Sequence, residues 1–248
     1  MGKQSHTLLI RRVVDTALTV LLLCLMAYPV TGETLHEWIG IAMIAALILH
    51  HVLNRRWYGA LFRGKYTLLR TVNTAVTSLL TVSIVLTAVS GMSISTRAVP
   101  FLYGLIRPGL ARRLHLAFSY WSFLLMGLHL GLHLPPMTVS IRPGKAAGTV
   151  LTCFFTLIAG WGLWLFCRDG IPRYLFFRAM FAYFDYEKAG TLVFLENLAE
   201  LFFFVFLGAN FVRLYRFLCR RGQAVPEKNR GPSGASAPQP PEMTRRPK

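Results

Sequence analysis

The chain has 248 residues, 54% of them hydrophobic and only 15% charged, with a formal net charge of +17. A soluble domain carries about 25% charged residues, so an ordinary soluble enzyme is excluded. The basic excess would by itself suit nucleic acid, but the 27 Lys and Arg mostly flank apolar runs. The positive-inside rule of membrane proteins explains that placement better, and no nucleic-acid partner is expected.

Crossing the hydrocarbon core of a bilayer takes about 20 helical residues. Six apolar runs approach or exceed that length: 13–30, 35–53, 71–92, 114–134, 146–167 and 191–212. The expected fold is all-α, an integral membrane bundle of six transmembrane helices. The first run has no small-residue cleavage site after it and reads as a retained helix. Asp15 follows Arg12 by three residues and reads as its ion partner. The second run carries His36, His50 and His51 and leads into the loop NRRWYGALFRGKY, basic and aromatic as at a membrane surface.

The third run is followed by a longer loop containing Pro100 and Pro108. The fourth carries His115, His129 and His133 and is preceded by Arg112 and Arg113. Those arginines suit haem propionates or, equally, a helix stop at the water boundary. Between the fifth and sixth runs, RDGIPRYLFFRAMFAYFDYEKAG holds seven aromatics and suits a segment lying in the interface. Glu196 and Glu200 sit four residues apart in the sixth run. They would serve a proton or quinone, but a polar gap or partner interface is the favoured reading. From Gly222 onward the chain is rich in Pro, Gly and Ser and lacks aromatics, so residues 1–221 form the membrane domain and 222–248 a disordered cytoplasmic tail.

With the N-terminus inside, 19 Lys and Arg fall in inner segments and 8 in outer ones, which places both termini in the cytoplasm. Cys24, Cys153, Cys167 and Cys219 show neither CxxC nor CxxCH spacing. Neither a disulfide frame nor covalent haem follows from them.

The histidines are the informative feature, because ionisable residues inside a bilayer are costly and read by default as functional. His36 and His50 are separated by 14 residues, as are His115 and His129. At 3.6 residues per turn, 14 residues fall about 40° short of four full turns and span about 21 Å, so each pair lies near one helix face with one member at each membrane surface. The two helices run the same way, which sets His36 opposite His115 near the outer surface and His50 opposite His129 near the inner one. Two opposed imidazoles at two levels are what two bis-histidine b-type haems need. Gly40, Ser119 and Ser122 lie on the stretches between them. Single histidines of this kind would only cap helix ends; two matched pairs point to ligation. His51 and His133 lie near the same faces and stand in reserve as ligands.

The stretches LHEWIGIAMIAALILHHVLNRRWYGALFRGKY and RRLHLAFSYWSFLLMGLHLGLHL resemble the flavinylation-associated cytochrome family of bacterial membrane proteins. That family is itself similar to the formate dehydrogenase gamma subunit and the wider cytochrome b superfamily. The resemblance covers residues 35–134 well and the remaining helices loosely. It implies a multi-pass protein of the bacterial cytoplasmic membrane, in contact with lipid, that moves electrons through two non-covalent haems b. His36, His50, His115 and His129 are the implied iron ligands. The implied partner is a redox protein, often an extracytoplasmic flavoprotein, with a quinol or other inner-side donor. The chain would then be an electron-transfer subunit rather than a stand-alone catalyst. Two other classes remain open: a di-iron oxidase similar to lipid desaturases, from the His129/His133 spacing and the His50–His51 doublet, and a proton-coupled transporter.

Overall fold

The computed structural model describes residues 2–138, 145–179 and 181–223, and every regular element among them is helical. The long helices are α1 (Gly2–Met26), α2 (Tyr28–Leu53), α4 (Leu68–Met92), α5 (Pro108–Thr138), α6 (Lys145–Arg168) and α8 (Gly190–Gln223); α3 (Arg56–Leu61) and α7 (Ile171–Leu175) are short. Among the described residues, four helical stretches are long and apolar enough to cross a membrane: Tyr28–Leu53, Leu68–Met92, Gly148–Arg168 and Gly190–Arg221. Their outward faces are apolar as well; on α6, Val150 is 70% exposed and Leu157 74%, a surface suited to hydrocarbon and a liability in water. The protein is a helical membrane bundle. The other two long helices are more polar. Helix α1 carries Arg11, Arg12 and Asp15, and α5 carries Arg112, Arg113 and three histidines.

Five of the six apolar runs lie inside one long helix each. The first does not: its helix ends at Met26, and Val30 already belongs to the following element. Pro29, within the first turn of α2, has no N–H to continue the preceding helix. Gly32 then takes φ +64, a left-handed conformation that favours glycine, and the chain reverses there.

Val14, Leu18 and Leu22 are buried at four-residue intervals along α1 and join Met43, Leu80, Ile84 and Phe123 in the core. Helices α4, α5 and α8 pack closely in sequence, and α6 leans on α8. A Cβ on Gly131 would stand 2.2 Å from the Val205 carbonyl oxygen, so α5 and α8 approach this closely only because that position is glycine. Helix α2 packs along α1 but stands off α4 and α5, which leaves a cleft between them.

The end of the bundle where α2 and α5 begin is called upper here, and the opposite end lower. At the upper end, Glu37 ties the loop after α4 to α2: its carboxylate accepts from Ser95 Oγ (2.7 Å) and from the backbone N–H of Thr96 (3.1 Å), Arg97 (2.9 Å) and Ala98 (2.7 Å). The aromatic segment after α6 folds over this same end. Tyr174 stacks on Tyr120 at 4.7 Å, Phe184 stacks on Tyr28 at 5.2 Å, and Trp121 Nε1 donates to the Leu175 carbonyl at 3.1 Å. At the lower end, the Arg70 guanidinium gathers the loop around α3 by donating to the carbonyls of Ala60, Arg63 and Lys65. Helix α8 reaches Gln223; the remainder of the expected tail, and Arg142, lie outside the described residues.

Candidate functional site

The upper part of the cleft is a cavity of about 580 Å³, a size suited to a sizeable small-molecule cofactor. Its walls come from α1, α2, α4 and α5, and Phe181 and Phe184 of the aromatic segment close one side. His36 and His115 both line it, with ring centres 6.0 Å apart and planes crossed at 78°. The edge of Tyr28 packs on His36 at 5.1 Å.

His115 is held by α4. Its Nδ1 lies 3.0 Å from the Thr87 carbonyl oxygen, which only accepts, so Nδ1 carries the proton and Nε2 keeps its lone pair. That tautomer is the one a metal-ligating histidine adopts. Gly91, one turn further along α4, leaves room for the ring: a Cβ there would meet His115 Cε1 at 2.9 Å and Nδ1 at 3.0 Å. His36 Nδ1 is enclosed without a well-formed hydrogen bond, with the Leu25 backbone nearby.

The lower end gathers the other four histidines of α2 and α5. His50 Nδ1 lies 2.8 Å from Asp15 Oδ1, and His51 Nδ1 lies 2.7 Å from the Tyr58 hydroxyl. His129 Nδ1 lies 3.2 Å from Thr77 Oγ1. His129 and His133 stand 4.7 Å apart by ring centres, His50 and His51 5.6 Å. His50 is an electrostatic neighbour of both His129 and His133. His51 Nε2 is enclosed without a partner.

The structure thus brings His36 and His115 into direct opposition, and groups His50, His51, His129 and His133 without a ring-to-ring contact between α2 and α5. Arg112 lines the upper cavity and Arg113 does not, since successive residues point about 100° apart around a helix. Gly40, Ser119 and Ser122 all line it. The expected Arg12–Asp15 ion pair is absent among the described residues; Asp15 instead faces His50 on the neighbouring helix. Glu196 pairs with Arg168 (3.3 Å) and Lys188, while Glu200 is 4% exposed and takes no part in these pairs.

Sequence reasoning missed Thr87, Gly91, Thr77 and Glu37. The first two were open to it: they stand four apart on a helix, so a carbonyl and a gap fall on one face. Asp15 also carried a signal, an acid two residues inside an apolar run, but its partner is on another helix.

These residues fit a haem at the upper end: a cavity, two facing imidazoles, and a glycine cradle behind one of them. The imidazole ring centres, 6.0 Å apart, leave room between them for one metal ion that His36 and His115 would hold. At the lower end the fit rests on the donor set, since His50 and His129 each engage Nδ1 and leave Nε2. Among the described residues no three His, Cys, Asp or Glu side chains converge as a metal-ion site; a bis-histidine iron needs only two. Comparison with protein-family models, curated proteins and solved structures yields no match. The functional reading rests on the residues themselves.

Proposed function

We propose that this protein carries electrons across a bacterial cytoplasmic membrane as a di-haem, b-type membrane cytochrome. The observation that carries the proposal is the crossed His36–His115 pair in the upper cavity, with His115 fixed in the ligating tautomer by the Thr87 carbonyl. Bound between such pairs, haem supplies one-electron redox chemistry whose potential is tuned by its axial ligands and burial.

In this reading His36 and His115 hold the upper group, and His50 and His129 the lower one. The apolar cavity wall, including Met43 and Ile84, excludes water from the upper site. Arg112, at the cavity margin, offers a guanidinium for an acidic substituent of the bound group. The separation of about 21 Å along each helix puts one site at each membrane face. The six long helices are six spans, with the lower end and both termini cytoplasmic, because Arg55, Arg56, Arg63, Lys65 and Arg70 gather there. An outer redox protein, such as a flavin-bearing one, docks at the upper end, and a quinol or reduced protein donates from below.

A reduced-minus-oxidised optical spectrum of the purified full-length protein tests this. Sharp b-type bands are expected, and their loss in His115→Ala by about half. A di-iron oxidase or a transporter would give no such bands, and a bandless wild-type protein would end the proposal.

A further inference from the structure

Asp15 lies two residues inside the first apolar run, on a helix that bears no predicted ligand. Charged groups at such positions are costly and persist where a partner is present. Its partner is His50 Nδ1 at 2.8 Å. Because a carboxylate only accepts, the proton sits on Nδ1 and the Nε2 lone pair is left for a ligand. Asn54 Nδ2 comes within 3.5 Å of the same nitrogen, but both would then be donors, and Asn54 satisfies itself on the His50 carbonyl at 3.0 Å.

A second bond on the same faces sets the register. Arg11, one turn before Asp15, donates from Nη2 to the Leu53 carbonyl at 2.8 Å, and Leu53 follows His50 by three residues. Residues three or four apart share a helix face, so the Arg11/Asp15 face of α1 is clasped to the His50/Leu53 face of α2. The rotation of the imidazole is thereby fixed from outside its own helix. Among the described residues, no other histidine of α2 or α5 hydrogen-bonds to a carboxylate: His115 faces a neutral carbonyl, His129 and His51 each a hydroxyl, His36 has no well-formed bond at Nδ1, and His133 has Asp15 only as an electrostatic neighbour. Hydrogen bonding to an anion raises the basicity of a ligating imidazole and favours the more oxidised, more positive metal.

Resting on the di-haem reading above, we propose that Asp15 is the positioning residue for His50, selecting it over His51 as the lower axial ligand and making the lower haem the one of lower potential.

The test is a redox titration of the full-length, haem-loaded protein in lipid nanodiscs, monitored optically and by EPR. A His115→Ala background, lacking the upper haem, assigns the bands. Asp15→Asn, which keeps the size and an acceptor oxygen but not the charge, should retain both haems. It should raise the potential of the lower haem by the equivalent of a tenfold change in relative stabilisation, about 59 mV for one electron, and leave the upper haem unmoved. Asp15→Glu should return the potential toward the wild-type value, which a merely structural contact would not do. Should Asp15→Asn not accumulate, the shift in Asp15→Glu and Asp15→Ser decides in its place. Two haems with unchanged potentials, an equal shift in both, or loss of the lower haem in His51→Asn rather than His50→Asn would overturn the assignment of Asp15 while leaving the di-haem reading intact. Absence of haem from the wild-type protein would remove both.

Discussion

The imidazoles of His36 and His115 face each other at 6.0 Å with their planes crossed at 78°, although 79 residues of sequence separate them. Crossed axial planes on a low-spin ferric iron leave two of its d orbitals nearly degenerate, whereas parallel planes split them. The upper haem is therefore expected to give a highly anisotropic, large-gmax EPR signal. An ordinary rhombic spectrum from the upper haem would show that the rings turn on binding.

Stoichiometry follows from the two levels of histidines. Pyridine haemochrome analysis should find two haems b per chain in the wild-type protein and one in either His36→Ala or His115→Ala. One haem in the wild-type protein would confine ligation to a single level.

Gly91 offers a test of the cradle by volume alone. Gly91→Ala places a methyl 2.9 Å from the His115 ring, and overpacking of this kind costs about 1–3 kcal/mol. The expected result is a lower Tm with partial loss of the upper haem. Gly59→Ala is the control, since a Cβ there meets nothing within 4 Å; it should change neither.

Glu37 accepts four hydrogen bonds from the loop after α4, three of them from backbone N–H groups. Removing an acceptor from such donors costs about 1–3 kcal/mol. Glu37→Ala should raise amide exchange at Thr96, Arg97 and Ala98 by tenfold or more, with Glu37→Gln intermediate. Unchanged protection at those amides would mean the loop is held by other contacts.

Topology can be read with reporter fusions. A fusion near Arg63 or on the C-terminal tail should report cytoplasm, and one near Pro100 the outside. The reverse pattern would exchange the two membrane faces in every assignment above.

Much of the architecture was legible along the chain because the signals are local. Apolar length sets where helices run, and five runs fall within single long helices. The 14-residue spacing sets how far apart the histidines of one helix stand and that they lie near one face, since helical rise and twist are fixed by backbone hydrogen bonding. The end of the first helix was misplaced because hydropathy does not see a backbone angle: Val30 is as apolar as its neighbours, yet α1 has already ended at Met26, and Pro29 before Val30 and the +64° φ of Gly32 after it set it in the turn between helices.

Tertiary structure decided what lies between helices. The cleft exists because α2 leans on α1 and away from α5, and no spacing within α2 states that. Asp15 was assigned to Arg12 by proximity in sequence, whereas the rotation of α1 about its buried Val14–Leu18–Leu22 stripe turns it to His50. Thr87 and Gly91 acquire their roles in the same way, from the imidazole that α5 lays against them. Periodicity fixes the face on which a side chain lies; only packing, which sets the rotation and separation of neighbouring helices, decides what that face meets.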